Sequence, residues 1–350
     1  MTMALKSSSL SKIPTAFASC SIGCRDDHTL PKKLQAISAA GFSAIELSMP
    51  DIVSFASTYF HQPVASDHYD SLVEAARVIR GICDTQGLEI LMLQPFSNFE
   101  GWQHGSDERK DAFDRARGWI RIMEAAGTDM LQVGSSDSPE DQIGTDRQRM
   151  VTDLQQLADM LLEHTFRLAY ENWCWSTHAP KWRDAWDIMR QVDRPNFGLC
   201  LDTFQTAGSE WADPTTESGL IDSLSEVELN QRFQTSLEDL SKTVPKDRIY
   251  LLQISDAYKP KQPLSKETDD SGLRPRGRWS HDFRPLPFHD GYLPVIEVTK
   301  AVLRTGFRSW FSYEVFDAGA DGKGRQYELD EFAKWATEAH TQLLKECAED

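Results

Sequence analysis

The chain lacks any long apolar segment and carries few positive charges for its size. No run approaches the roughly 18 apolar residues that a membrane-spanning helix needs, so the sequence predicts a soluble protein without a membrane partner. Among its 350 residues, 37 Lys and Arg face 54 Asp and Glu, which gives a formal net charge of −17. Because this charge repels phosphate groups, it argues against nucleic-acid binding. We therefore expect a small-molecule ligand.

Cysteine is also sparse, and its spacing carries no motif. The six cysteines contain no CxxC pair, so we expect neither a thiolate zinc cluster nor a disulfide framework. Reduced thiols in a cytoplasmic protein are the simplest interpretation. Residues 1–12 are rich in serine but contain neither the apolar core of a secretory signal nor an arginine. We expect these residues to form a disordered tail.

The chain does contain a regular alternation of apolar, β-branched segments with amphipathic segments of about 10 to 20 residues. The predicted strands are Thr15–Ser19, Ala44–Ser48, Glu89–Gln94, Met130–Val133, Arg167–Glu171, Phe197–Asp202, Ile249–Gln253 and Trp310–Glu314. The predicted helices are Pro31–Ala40, Tyr69–Gln86, Glu108–Ala126, Asp146–His164, Lys181–Val192, Glu226–Thr243, Pro294–Thr305 and Glu328–Glu346.

This order predicts an α/β fold, a single closed (β/α)8 TIM barrel over residues 13–350, with its active site at the C-terminal ends of the strands. A doubly wound open sheet is the alternative, but the GxGxxG sequence that usually follows its first strand is missing. Two connections are long, residues 51–67 and residues 257–292. Long connections of this kind usually form lids or binding loops.

The last four predicted strands each end in an acidic or amide side chain. Glu171, Asp202 and Glu314 supply carboxylates, and Gln253 supplies a carboxamide. Side chains at the C-terminal ends of barrel strands meet at one mouth, where three uncompensated carboxylates would repel one another. A bound divalent cation relieves that repulsion; oxygen ligands favour Mg²⁺ or Mn²⁺, and Co²⁺ or Zn²⁺ also fits. The alternative is that these residues cap helices or pair with arginine.

Other polar residues near the mouth are candidates for contacts with a substrate. Gln94 ends the third strand and is placed to bind substrate hydroxyls or to satisfy the end of the strand's hydrogen-bond ladder. His178 lies in the loop after strand five and His281 in the loop after strand seven, where each is placed to act as a general base. A metal and a base together favour abstraction of a proton α to a carbonyl.

Several segments resemble one family in order and spacing. They are Leu93–Phe96, Tyr170–Thr177, Val192–Phe204, Ala212–Thr215 and Gly291–Val295. These segments resemble the xylose-isomerase-like TIM barrels of the sugar phosphate isomerase/epimerase superfamily and, more narrowly, the fungal 3-dehydroshikimate dehydratases. The resemblance extends over most of the chain.

The resemblance implies a metal-dependent lyase that dehydrates the anionic substrate 3-dehydroshikimate to protocatechuate in quinate catabolism. It also implies the divalent-metal ligands, which match Glu171, Asp202, Gln253 and Glu314. It implies substrate contacts at Gln94, Trp173, Gln205, Arg278, Trp279 and Arg284. The two arginines would face the substrate carboxylate.

The sequence departs from the family pattern in its substrate-binding loops. Trp279-Ser280-His281 stands where the family usually reads Trp-Ser-Arg, and Gln205 stands where bacterial relatives have a histidine. A divalent-metal-dependent isomerase or epimerase acting on a sugar or cyclic ketone is therefore the alternative function. A repair endonuclease shares this barrel but is disfavoured by the acidic charge and the shortage of histidine ligands. The four-ligand set disfavours a non-catalytic barrel.

Overall fold

The structure, a computed structural model, describes residues 5–349 and contains a closed barrel of eight parallel strands. The barrel strands are β1 (Thr15–Ala18), β2 (Ala44–Ser48), β3 (Glu89–Phe96), β4 (Met130–Gly134), β5 (Arg167–Glu171), β6 (Phe197–Asp202), β7 (Ile249–Ile254) and β9 (Trp310–Tyr313). β9 closes the barrel on β1, with Thr15 paired to Phe311. Two short strands, β8 (Phe283–Arg284) and β10 (Phe316–Asp317), pair with each other in antiparallel orientation. The predicted barrel is confirmed.

Helices alternate with the strands and cover the outside of the barrel. They are α1 (Ser7–Leu10), α2 (Leu30–Ala39), α3 (Met49–Tyr59), α4 (Tyr69–Gln86), α5 (Asp107–Ala126), α6 (Glu140–Ile143), α7 (Arg147–Glu163), α8 (Trp182–Val192), α9 (Thr203–Glu210), α10 (Glu226–Thr243), α11 (Pro275–Asp282), α12 (Val295–Arg304) and α13 (Leu329–Cys347). The predicted helices match their observed counterparts to within one residue at each end. Within residues 5–349, no helix combines the length and the apolarity that crossing a bilayer requires.

Local sequence signals explain where α5 begins and ends. The Ser106 hydroxyl accepts a hydrogen bond from the Arg109 amide at 3.1 Å and so caps the first turn. Gly127 ends the helix at a φ of 75°, a left-handed conformation that costs glycine little. β4 begins at Met130, directly after this turn. Helix and strand therefore run in opposite directions, and the strand's carboxyl end reaches the mouth.

The barrel interior is layered. Apolar side chains, among them Ala169, Cys200 and Leu251, form one buried cluster. Because side chains alternate along a strand, the residue two positions further on points to the same interior. For these three strands the next inward residues are Glu171, Asp202 and Gln253. A polar layer therefore lies above an apolar floor, at the carboxyl end of the strands.

The expected loop over residues 51–67 is wrong for its first half, which is helical. α3 begins directly after β2, and the Ser48 hydroxyl caps it by accepting from the Asp51 amide at 3.3 Å. Ile52 and Ala56, spaced four residues apart, are both buried. This spacing places them on one helix face, a signal that a short segment next to a strand made easy to miss.

The other two irregular segments also contain regular structure. The connection of residues 257–292 includes α11 and β8, so it is not one continuous loop. In the expected disordered tail, α1 is helical and the side chains of Leu5 and Leu10 are fully buried. The Leu5 carbonyl also accepts a hydrogen bond from the Glu349 amide at 2.9 Å. Burial of these leucines orders residues 5–12, which corrects the prediction there; residues 1–4 lie outside the described range.

Candidate active site

Three acidic side chains converge at the mouth of the barrel. Glu171 ends β5, Asp202 ends β6, and Glu314 directly follows β9. One carboxylate oxygen from each lies within 4.8 Å of the others, and all three residues are buried. The parallel strands bring their carboxyl ends to one edge, which is why residues far apart in sequence meet there. We refer to these three residues as the acidic triad.

The electrostatics of the acidic triad favour a bound cation. Burial, and next the charges of Glu314 and Asp202, raise the pKa of Glu171 well above its usual range. Burial also raises the pKa values of Asp202 and Glu314, although Arg284 partly opposes the shift in each case. One oxygen of Glu171, Oε1, is buried without a hydrogen-bond partner in the described structure. Three buried carboxylates with a free ligand oxygen fit a hard divalent metal ion.

The alternative reading of these carboxylates, as caps and arginine partners, also holds in part. Asp202 caps α9 by accepting from the amides of Phe204 and Gln205. Arg284 lies 2.5 Å from Asp202 and 3.0 Å from Glu314, measured between guanidinium nitrogen and carboxylate oxygen. Among the described residues, none forms such an ion pair with Glu171, which accepts hydrogen bonds from the side chains of Gln132 and Trp173. The triad therefore keeps an excess of negative charge.

Each of the three guanidinium nitrogens of Arg284 contacts polar groups of the protein. Besides the two ion pairs, Nε and Nη2 donate to the Ser255 hydroxyl at 3.0 and 2.8 Å. Nη1 also donates to the Ser280 hydroxyl at 3.3 Å. The side chain is 1% exposed. Of the two arginines predicted to contact the substrate, Arg284 is the one whose guanidinium contacts the triad.

Gln253, the predicted fourth ligand, lies beside the triad. It pairs in register with Asp202 across β6 and β7. Its Nε2 donates to Glu46 at 2.9 Å, and its Oε1 accepts from the Cys200 thiol at 3.2 Å. Glu46 itself is buried, and burial together with the Glu314 charge raises its pKa to about 8. The position of Glu46 on β2, where its side chain points into the barrel, was the sequence signal that could have placed it beside the triad.

A cavity of about 520 Å³ opens above the triad. Its lining includes five of the predicted site residues besides Glu314: Gln94, Trp173, Gln205, His281 and Arg284. It also includes Cys20, Ser48, Pro50, Pro95, Ser97, Asn98, Gln132, Asp137, Trp175, Leu273, Ser280 and Phe316. A space of this volume, with aromatic walls and a few polar groups, suits a single small molecule.

The predicted polar and aromatic contacts are held at defined positions in this lining. Gln94 Nε2 lies 3.5 Å from Glu314 Oε1, close to the triad. Gln205 accepts from the Cys174 amide at 2.9 Å, which orients its carboxamide. Trp173 donates from its indole nitrogen to Glu171 at 3.1 Å. These side chains therefore border the carboxylates of the acidic triad.

Sequence reasoning missed a tryptophan and an aspartate in the same wall. Trp175 stacks on Trp173 with ring centroids 5.0 Å apart and an interplanar angle of 20°. Its indole nitrogen donates to Asp137 at 3.0 Å. The alternating Trp173-Cys174-Trp175 spacing was the available signal for the stacked pair. Asp137 gave none, because its contact depends on the packing of two separate loops.

His281 faces the cavity from the end of α11. It lines the pocket, and its ring makes an edge contact with Trp175 at 6.4 Å between centroids. His281 remains exposed at the rim, and partial burial of its ring lowers its pKa below the ordinary histidine value. The imidazole is therefore neutral near pH 7, the form that accepts a proton.

His178 lies outside the cavity lining of the described structure. Its Nε2 is 3.1 Å from Glu100, which also accepts from the Tyr170 hydroxyl at 2.8 Å and the Ser136 amide at 2.9 Å. Although burial acts in the opposite direction, the hydrogen bond and charge of His178 hold the pKa of Glu100 below its usual value. This network joins the loops that follow β3, β4 and β5.

Arg278 and Trp279 also lie outside the described cavity lining. The Arg278 guanidinium donates to the carbonyl oxygens of Leu273 and Ser265 at 2.7 and 2.6 Å. Trp279 is fully buried and donates to the Tyr258 carbonyl at 2.8 Å. Both residues brace the segment that carries Arg284.

Comparisons with known proteins agree with this architecture. Residues 34–339 match the family described as "xylose isomerase-like TIM barrel". A Neurospora crassa protein named 3-dehydroshikimate dehydratase is 31% identical over 320 residues, which cover 88% of each chain. A Pseudomonas aeruginosa protein of the same name is 30% identical over 83% of this chain. The match spans only 37% of that bacterial relative's own length.

Solved structures show the same barrel. A xylose isomerase-like TIM barrel/4-hydroxyphenylpyruvate dioxygenase fusion protein is 26% identical, with a TM-score of 0.68. That similarity covers 94% of this chain and 42% of the fusion protein. The IOLI protein, solved with a binding zinc atom, is 15% identical with a TM-score of 0.66 and covers 95% of this chain and 98% of its own. This last similarity is one of fold.

Gly134 controls the position of Trp173, and its substitution tests this arrangement. A Cβ at Gly134 would lie 2.2 Å from the Trp173 ring, so Gly134→Ala should displace the indole from Glu171 and Trp175. We expect a destabilisation of about 1–3 kcal/mol from overpacking, measured by denaturant unfolding, and a changed near-UV circular dichroism spectrum.

The matched control is Gly81→Ala. Its added methyl meets nothing within 4 Å on α4, so stability and the near-UV spectrum should not fall below those of the wild type. A Gly134→Ala protein with the wild-type spectrum and stability would contradict the assigned packing.

Proposed function

This chain belongs to the xylose isomerase-like TIM barrel family, and from that premise we propose that it is a divalent-metal-dependent 3-dehydroshikimate dehydratase. It would be a cytoplasmic lyase of quinate catabolism. The observation that carries the proposal is its 31% identity, over 88% of both chains, with the Neurospora crassa protein of that name. The acidic triad supports it, because a divalent ion held there would stabilise the negative charge that develops when a proton next to a ketone is removed.

Glu171, Asp202 and Glu314 would hold the metal, with Gln253 beside them. The free, buried Oε1 of Glu171 and the all-oxygen donor set support this assignment. Oxygen donors favour Mg²⁺ or Mn²⁺, while Co²⁺ and Zn²⁺ also accept such ligands. A divalent ion bound there supplies Lewis-acid polarisation of the substrate ketone.

The cavity wall fits a flat six-membered ring. The stacked indoles of Trp173 and Trp175 present an apolar face, and the polar side chains of Gln94, Gln205 and Asp137 lie around it. Aromatic faces bind planar rings, and the polar groups orient the ring hydroxyls. We infer that the substrate ring packs on this wall with its ketone toward the triad.

His281 is the general base in this proposal. Its neutral imidazole takes the proton from the carbon α to the ketone, and the C–H electron pair forms the new double bond as the hydroxyl on the β-carbon leaves. The proton returns to that hydroxyl, so that water is released. Loss of a further ring proton to oxygen through tautomerisation gives the aromatic protocatechuate. The reaction consumes no oxidant or reductant.

One observation favours a second candidate, an isomerase or epimerase of a neutral sugar or cyclic ketone. Arg284 is the only lysine or arginine in the described lining, and each of its three guanidinium nitrogens already has a protein partner. The wall therefore offers a substrate carboxylate no free guanidinium. A neutral substrate would need none.

Turnover of 3-dehydroshikimate tests the proposal directly. Purified protein supplied with Mg²⁺, Mn²⁺ or Co²⁺ should convert it to protocatechuate, followed by the ultraviolet absorbance of the aromatic product. A chelator should abolish the reaction, and added metal should restore it, because the triad then regains its cation.

No turnover by folded protein shown to contain metal would reject the dehydratase. Isomerisation of a ketose panel, followed by NMR under the same conditions, would then support the second candidate.

The role of His281 predicts a pH profile. Because the base must be unprotonated, kcat/KM should fall as the pH drops through the pKa of His281, which lies below its ordinary value of 6.5. His281→Asn should lower kcat by roughly 100-fold or more and remove this acidic limb. The exposed His104 provides the control, since His104→Asn should retain both rate and profile. If kcat/KM of His281→Asn still falls at acidic pH as in the wild type, His281 is not the general base.

A further inference from the structure

Arg284 occupies an unusual position for a residue expected to bind substrate. It ends the short strand β8 and extends to the triad, where its guanidinium pairs with Asp202 and Glu314. A guanidinium has five N–H donors. Ser255 and Ser280 accept those that the two carboxylates do not. Each of the three guanidinium nitrogens therefore has at least one partner within the described structure.

The guanidinium also lies against two aromatic rings. Its central carbon lies 4.7 Å from the ring centroid of Phe204 and 5.3 Å from that of Phe316. Aromatic rings attract a cation held over their faces. Hydrogen bonds in the plane and rings against the planar group together fix the charge in place.

We propose that Arg284 is a fixed counter-charge that matches the acidic triad to a divalent ion. The inference rests on the proposed metal site. Metal binding requires the carboxylates to be ionised, so the triad contributes three negative charges and Arg284 one positive charge. Two negative charges remain, which a dication neutralises. A trivalent ion would leave an excess positive charge in a buried place, where uncompensated charge is costly.

This role differs from the substrate contact that the family resemblance implied for Arg284. A carboxylate-binding arginine would change the affinity for anionic ligands when replaced. A counter-charge would change the preference between ions of different charge. Glu46 is a further buried carboxyl group beside the triad. Because it is present in the wild type and in every variant, the comparison measures only the loss of the positive charge of Arg284.

The experiment compares binding of Mn²⁺ and Tb³⁺ to wild-type protein and to Arg284→Met. Mn²⁺ is titrated calorimetrically, and Tb³⁺ by luminescence excited through Trp173, whose indole nitrogen lies 3.1 Å from Glu171. Arg284→Met should shift the ratio of affinities toward Tb³⁺ on the order of tenfold or more, because the repulsion removed grows with the charge of the ion. Arg284→Gln is a second neutral variant in case the methionine protein does not fold.

Two control variants separate charge from shape and from distant effects. Arg284→Lys keeps the charge and should keep the Mn²⁺ preference to within about a few-fold, although it loses the planar fork. Arg121→Met removes an arginine of α5 that pairs with the exposed Asp70 on the outside of the barrel, and its ion preference should match the wild type.

Failure of this inference is distinguishable from failure of the proposed function. If the wild type binds both ions and the neutral variants keep the same ratio, Arg284 is not the counter-charge while the metal site stands. If the wild type binds neither ion, both the metal site and the counter-charge are rejected. A ratio shifted toward Mn²⁺ in the neutral variants would also overturn the inference.

Discussion

Mutual repulsion among three carboxylates in a buried barrel mouth is the constraint on which the rest of this structure depends. Glu171, Asp202 and Glu314 lie on separate strands, yet their oxygens approach within 4.8 Å. Burial and like charge both disfavour the ionised forms, so each carboxylate needs donors or cations around it. The helix cap on Asp202, the hydrogen bonds to Glu171 and the ion pairs of Arg284 meet part of that need. In the proposed function, a divalent ion meets the remainder.

The loops around the mouth serve this centre in different ways. The loop after β5 brings Trp173 onto Glu171 and, through the stacked indoles, forms the cavity wall. The long segment after β7 carries His281 to the rim and Arg284 to the triad. Arg278 and Trp279 anchor that segment through backbone carbonyls. One segment therefore delivers both the proposed base and the proposed counter-charge.

The sequence predicted those features that follow from strand period and strand order. Eight repeats gave the barrel, and Glu171, Asp202 and Glu314 met at the mouth because inward positions at strand ends must converge. It did not predict α3, which follows β2 without an intervening turn, or α11, which has only eight residues. The assignments of loop residues depended on contacts distant in sequence. His178 pairs with Glu100 across two loops, and Arg284 turns to the triad instead of the open cavity.

The central claim is that the acidic triad binds a divalent ion that offsets its repulsion. Thermal unfolding of wild type and Glu171→Gln, each measured without metal and with Mn²⁺, tests it most directly. The account predicts a higher Tm for metal-free Glu171→Gln than for the metal-free wild type, because one buried negative charge is gone. Mn²⁺ should then raise the Tm of the wild type far more than that of the variant, since ligand binding stabilises the folded state. Equal Mn²⁺-induced shifts in the two proteins, or none in the wild type, would contradict it.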